Sequence, residues 1–260
     1  MRHGLEEAYR QNAITYRQHD EIEARTDHHC WVWKTLADLS SSFGREISVL
    51  EAGCGTGRYF HCLQNVRRLV GVDVSPEMLA AAGQPIRPEL ISARNIELRC
   101  ADIHQANFVP GSFDLIYSIG MFGYGCPLTA QVLDRFYDWL TDEGMLFFDV
   151  PDVTAMPCGV RVRKRIKKTL YPVLPGAWQR RLDEREKFLP FFAFSARELC
   201  RLMSCSDFVE AKIYSRPVTS PAWGDKRFEC LAGKVELPTD LVRSLDSRTF
   251  RQGGKKAIHR

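Results

Sequence analysis

Val49-Leu-Glu51-Ala-Gly53-Cys-Gly55-Thr-Gly57 decides how this chain is read: an apolar run closes on an acid, and glycines follow at every second position. Glycines there let the backbone turn sharply and approach a ligand closely. The residues after them predict a helix over 58–65, whose first N–H groups would face an electronegative ligand group. Outward from this stretch, short apolar runs recur at 47–53, 68–74, 96–102, 113–120 and 144–150. Their starts lie 17–31 residues apart, read as room for a crossover helix each time. Near-continuous apolar strands alternating with helices predict an α/β, doubly wound, mostly parallel sheet buried on both faces.

The flanks divide the chain further. Residues 1–44 predict an N-terminal helical lid, with amphipathic spacing from Leu5 to Leu39. Residues 45–150 and 191–235 predict the core. Within the second part, Ser195-Ala-Arg-Glu198 has the form of a capping box opening a helix over 196–204. FVEAKIYS (208–215) and RFECLAGKV (227–235) add two strands as a hairpin with a long loop. Residues 151–190, rich in Pro, Arg and Lys, predict a basic insertion. The tail 236–260, ending RQGGKKAIHR, is expected to be flexible.

Spacing separates the ligand classes. A dinucleotide fingerprint needs G-x-G-x-x-G, and a phosphate loop needs Gly-Lys-Ser/Thr. Here the third glycine comes one residue early, and Arg58-Tyr59 follows it. Glu51 would repel a pyrophosphate but suits the positively charged methionyl part of a sulfonium cofactor, which favours S-adenosylmethionine over NAD. Asp73 closes the second strand, where a carboxylate can accept both hydroxyls of a ribose. Asp102 closes the third, where it can accept from an adenine amine while Ile103 packs on the ring. Taken singly, Asp73 or Asp102 reads equally well as a solvated loop acid. Three acids at three consecutive strand ends point to the edge where open α/β sheets bind ligands.

VLEAGCGTG, VGVDVSPEML, ADI, FDLIYSIGMF and LTDEGMLFFDV resemble, in order and spacing, the successive motifs of class I (Rossmann-like) S-adenosylmethionine-dependent methyltransferases. The resemblance covers residues 45–152 well and the two late strands loosely. It implies a seven-stranded sheet with a reversed last strand and S-adenosyl-L-methionine as cofactor. It also implies cofactor contacts from Glu51, Gly53, Gly55, Gly57, Asp73, Val74, Asp102, Ile103 and Ser118, with Ser118 to Gly120 flanking the methyl group.

The acceptor is written less plainly. Methyl transfer from a sulfonium is an in-line displacement, for which positioning and desolvation supply much of the acceleration. A base need only collect a proton. Tyr124 and His19 are the catalytic candidates, with His28, His29, His104 and Asp152 behind them. The stretch after the fourth strand, Ser118-Ile-Gly-Met, lacks the Asp/Asn-Pro-Pro-Tyr/Phe pattern of base amine methylation. Cys126-Pro127 reverses the Pro-Cys of pyrimidine carbon methylation. An acceptor oxygen or nitrogen on a small or lipid-linked molecule is the first reading. An RNA methyltransferase and a non-catalytic cofactor-binding or scaffold protein are the alternatives.

Bulk properties fit. The chain has 260 residues, is 45% hydrophobic and 26% charged, and suits one α/β domain with an insertion. Its start, MRHGLEEAYRQN, lacks an apolar signal core, and nine scattered cysteines form no C-x-x-C pair, so reduced thiols, a cytoplasmic setting and no metal site are expected. The net charge is +4, yet Val160 to Arg181 alone holds eight basic residues and no acidic one, so the remainder is net acidic. Val162, Ile166 and Leu170 share a helical face there, and Trp178 follows. The segment 159–181 is read first as a cap gripping an anionic soluble substrate. Second comes contact with an anionic membrane at the inner surface, and third nucleic acid.

Overall fold

The structure is a computed structural model that describes residues 15–18, 20–21, 30–123, 126–155, 192–217 and 226–250. Its seven strands are β1 (Ile47–Ala52), β2 (Val66–Asp73), β3 (Asn95–Cys100), β4 (Phe113–Ser118), β5 (Leu140–Pro151), β6 (Glu210–Pro217) and β7 (Lys226–Gly233). They form one sheet in the order β3-β2-β1-β4-β5-β7-β6. All neighbours are parallel except β7, which runs against both β5 and β6. The expected doubly wound sheet with a reversed last strand is therefore present. Its strand order reverses between β1 and β4, the switch point where such sheets bind ligands beyond their carboxyl ends.

Every residue of β1 and β4 is buried, because both faces of the sheet are covered. Leu50, Val70, Ile116 and Phe148 pack on one face beneath α3 (Ala130–Trp139) and α4 (Ala196–Ser204). Val49, Leu69, Tyr117 and Phe147 pack on the other, beneath α1 (Cys30–Ser41) and α5 (Thr239–Phe250). A further helix, α2 (Pro76–Ala82), follows β2 and starts on Ser75, whose hydroxyl accepts the Met78 N–H. In α3, Thr129 caps the first turn, and Val132, Leu133, Phe136 and Trp139 face the sheet. Each such buried apolar side chain is worth about 1.5–3 kcal/mol. The capping box at Ser195 and Glu198 is formed in both directions.

Three expectations need correction. No α-helix follows the glycines: residues 58–65 hold only a single 3-10 turn, Phe60–Cys62. The chain from 53 to 65 returns to β2 through turns with Gly53, Gly55 and Gly57 all at positive φ, a conformation that does not continue into a helix. Only two of the four connections among β1 to β5 carry an α-helix; residues 101–112 contain none. Nor is the tail uniformly flexible. Leu237, Leu241 and Leu245, four residues apart, bury one side of α5 and its entry against the sheet, a helical period the composition of the tail obscures. Residues 251–260 lie outside the described residues, as does 156–191, nearly all of the basic insertion.

Candidate functional site

The carboxyl ends of β1, β2 and β3 bring Glu51, Asp73 and Asp102 to one edge of the sheet. Glu51 stands opposite Tyr117 in the β1–β4 register, and the Tyr117 hydroxyl donates to Glu51 Oε2 at 2.6 Å. Only 2% of Glu51 is exposed. Burial raises its pKa to about 8; the tyrosine bond pulls it down, and Asp73 and Asp20 push it further up.

Asp73 braces the glycine loop. Its Oδ2 accepts the Gly55 N–H at 2.9 Å and its Oδ1 the Ser75 N–H at 3.0 Å. Burial raises its pKa, while these backbone donors and that of Val74 lower it. Asp102 Oδ1 accepts the His104 N–H at 3.0 Å and faces His104 Nδ1 at 3.0 Å. His104 Nε2 lies 3.1 Å from the Pro127 carbonyl. With both ring nitrogens engaged, His104 ties the loop after β3 to the loop after β4. Ile103 is 4% exposed and packs with Phe122, Cys126 and Leu128 in the core.

The loop itself is turned inward. The Gly53 and Cys54 N–H groups donate to Val72 O (2.8 and 3.0 Å), and Gly57 donates to Cys54 O at 2.9 Å. With Gly55 on Asp73, four amides of the stretch are consumed internally. The expected offer of helix N–H groups from 58–65 to an electronegative ligand group is absent, because no α-helix forms there. What surrounds the loop is carboxylate. Gly55 has φ +51°, and a Cβ built there would meet nothing within 4 Å, so its Cα faces open space. Ser118, at the end of β4, is fully buried, and its hydroxyl meets no partner among the described residues. An open cradle rimmed by acids, with an orphan hydroxyl beside it, fits the cationic, hydroxyl-rich S-adenosylmethionine and disfavours a pyrophosphate.

Several contributors were not anticipated from sequence. Asp20, 5% exposed, accepts from the Thr56 hydroxyl and pairs with Arg58 Nη1 at 3.3 Å. Arg17 Nη1 donates to Ala81 O at 3.3 Å, so residues 15–18 and 20–21 reach both the loop after β1 and the end of α2. Behind the loop after β4, Asp149 of β5 and Arg227 of β7 form a buried ion pair. Asp149 closes the apolar run GMLFFDV, where a lone acid is the only hint available from sequence. Among the remaining base candidates, Asp152 is buried, with Oδ1 accepting the Thr154 N–H at 2.7 Å. His19, His28, His29 and Tyr124 lie outside the described residues.

Residues 49–144 match the family described as methyltransferase domain. Malonyl-[acyl-carrier protein] O-methyltransferase of Bacillus anthracis is 26% identical over 147 residues, 55% of this chain and 51% of that protein. The chain thus spans about half the length of the curated relatives it matches. Magnesium protoporphyrin IX methyltransferase from Synechocystis PCC 6803, solved with S-adenosylhomocysteine, superposes with a TM-score of 0.50 at 16% identity, covering 78% of this chain and 83% of that one. N-methyltransferase NodS from Bradyrhizobium japonicum WM9, also solved with S-adenosyl-L-homocysteine, gives 0.50 at 21% identity, covering 78% and 86%. The residues from Val49 to Gly144 thus match a methyltransferase domain, and the sheet has the class I, Rossmann-like fold of these solved methyltransferases.

Proposed function

We propose that this chain transfers the methyl group of S-adenosylmethionine to an oxygen or nitrogen of a small-molecule or lipid-linked acceptor. One observation carries the reading: the carboxyl groups of Glu51, Asp73 and Asp102 gather at the strand ends around a glycine loop, four of whose amides are bonded within the protein, an arrangement that suits a cation. The cofactor supplies an activated methyl on a positively charged sulfur. Glu51 and its neighbours hold the methionyl end, Asp73 with Val74 the ribose, and Asp102 the adenine amine. Gly53, Gly55 and Gly57 keep the passage clear, Ile103 backs the ring and Ser118 stands beside the reacting end. Residues 1–44 are proposed as a lid, since Asp20 already reaches the loop. Tyr124 and His19, on their sequence positions, are proposed to collect the acceptor's proton.

An anionic acceptor is supported by the basic residues 161–181 and by the flanks of the insertion. Phe192, where the described chain resumes, donates its N–H to Gly123 O at 2.7 Å, and Phe194 donates to Pro151 O at 2.9 Å, both at the ligand edge. The curated relatives are named for methylating an acyl group on a carrier protein, which agrees with a tethered oxygen acceptor. Calorimetry with S-adenosylmethionine, S-adenosylhomocysteine and NAD tests the cofactor; binding of NAD alone overturns the reading. Incubating extract fractions with labelled S-adenosylmethionine then identifies the acceptor. A labelled RNA, with binding that weakens steeply in salt, would shift the assignment to RNA. Cofactor binding with no labelled product in any fraction would favour a scaffold.

A further inference from the structure

We propose that Asp149 and Arg227 are positioning residues that bolt the loop 119–123 in place over the glycine loop, and thereby set the geometry of the cofactor site. The inference rests on the methyl-transfer reading above. Asp149 is 4% and Arg227 8% exposed. Arg227 Nε donates to Asp149 Oδ2, and Nη2 donates to Oδ1 at 3.1 Å, a bidentate pair joining β5 to β7. Both partners also reach the loop. Asp149 Oδ1 accepts the Gly120 N–H at 2.7 Å, and Arg227 Nη2 donates to the Phe122 carbonyl at 3.1 Å. The negative group therefore grips a loop donor and the positive group a loop acceptor two residues on.

Met121 sits between those two grips. Its side chain fills the space beside Gly53, where a built Cβ would stand 2.6 Å from Met121 Cβ and Cγ and 2.8 Å from Sδ. The next residue, Phe122, is 1% exposed and packs edge-on against Phe136 and Phe148. A continuous line of contact thus runs from the β5–β7 pair, through Gly120 and Phe122, to Met121 and the first glycine of the cofactor loop. Stability alone does not call for such a pair. Desolvation offsets most of the gain from a buried ion pair, and an apolar pair of similar volume does as well or better. Leucine and methionine at these positions would fill the core but would neither receive the Gly120 N–H nor give a hydrogen bond to the Phe122 carbonyl.

That difference supplies the test, on the full chain. The double variant Asp149→Leu/Arg227→Met should still unfold cooperatively, since the apolar pair offsets much of what the two lost loop hydrogen bonds cost. In that folded variant, hydrogen exchange at the Gly120 amide should quicken at least tenfold, and S-adenosylhomocysteine should bind at least tenfold more weakly by calorimetry. Should the double variant not fold, Arg227→Lys serves instead. Lysine keeps the charge but cannot pair in bidentate fashion and still reach Phe122 O, so several-fold losses in both readouts are expected at near-normal stability. Unchanged Gly120 exchange and unchanged affinity in a folded variant would overturn the proposal. If the unaltered protein fails to bind S-adenosylhomocysteine, the methyl-transfer reading falls, while the Gly120 exchange still decides whether the pair positions the loop.

Discussion

Asp73 is asked to do two jobs, and replacing it should separate them. An ionised carboxylate offers about four acceptor positions. Two are taken by the Gly55 and Ser75 N–H groups, one on each oxygen, and the Val74 amide competes for another. One or two therefore remain for ribose hydroxyls. Hydrogen bonds to a charged acceptor are worth about 1.5–3 kcal/mol, so Asp73→Ala should weaken S-adenosylhomocysteine binding by roughly 10- to 150-fold. The same change leaves two loop amides without their acceptor. Water can reach this partly exposed turn, and the buried carboxylate bears a desolvation cost of its own, so about 1–2 kcal/mol of folding stability should be lost. Asp73→Asn keeps one acceptor oxygen and should lose less affinity than alanine, but its NH2 group faces one of the two amide donors. Calorimetry with S-adenosylhomocysteine, run beside urea denaturation of the same samples, gives both quantities. If both variants lose stability but keep full affinity, Asp73 is only a brace for the glycine loop and its ribose role is wrong.

Gly55→Val should abolish cofactor binding, since the added side chain projects into the open space beside the loop. The backbone at φ +51° adds about 1–2 kcal/mol of strain for any residue with a Cβ, so a modest fall in thermal midpoint should accompany the loss. Glu51 links binding and stability to pH. Its folded pKa of about 8 lies above the unfolded value near 4.5, so the unfolded chain releases this proton first as pH rises. The contribution to stability is thus intact below about pH 4.5 and declines towards pH 8; Glu51→Gln should flatten that decline in denaturation curves. A cation bound beside Glu51 favours its ionised form, so binding below about pH 8 should release a proton, visible by calorimetry in buffers of different ionisation heat. Heats independent of buffer would remove Glu51 from the methionyl site. In the basic segment, charge reversal at Arg163, Lys164 and Lys167 should weaken binding to anionic vesicles by about 1 kcal/mol per charge at low salt. Trp178→Ala should weaken it at any salt, because burial of an indole is not screened. Sedimentation with neither neutral nor anionic vesicles, in a chain fully active on a soluble acceptor, would leave that segment as a substrate cap.

What could be read in advance follows from how far each signal reaches along the chain. The strands were legible because a sheet buried on both faces demands unbroken apolar runs, and ISVLEA, RLVGVD and FDLIYS satisfy that locally. The acids at their ends were legible because strand, acid and glycine are adjacent in sequence. The missing helix after Gly57 was misjudged from the strand-glycine pattern alone: the chain there keeps turning and forms only the 3-10 turn Phe60–Cys62 before β2. The leucines of α5 were overlooked because a polar composition masked a regular four-residue spacing. Asp149 and Arg227 belong to a different class of difficulty. They are 78 positions apart, and only the antiparallel register that sets Pro151 opposite Arg227 brings them together. Asp149 looks alone like a flaw in an apolar run, and Arg227 like an ordinary charge in a strand that also holds Lys226 and Glu229. Two such charges of opposite sign, placed at the ligand edge by a strand that runs backwards, are the arrangement a buried pair requires. A lone charge in an otherwise apolar strand is therefore best treated as half of a contact whose other half lies on a strand not yet paired.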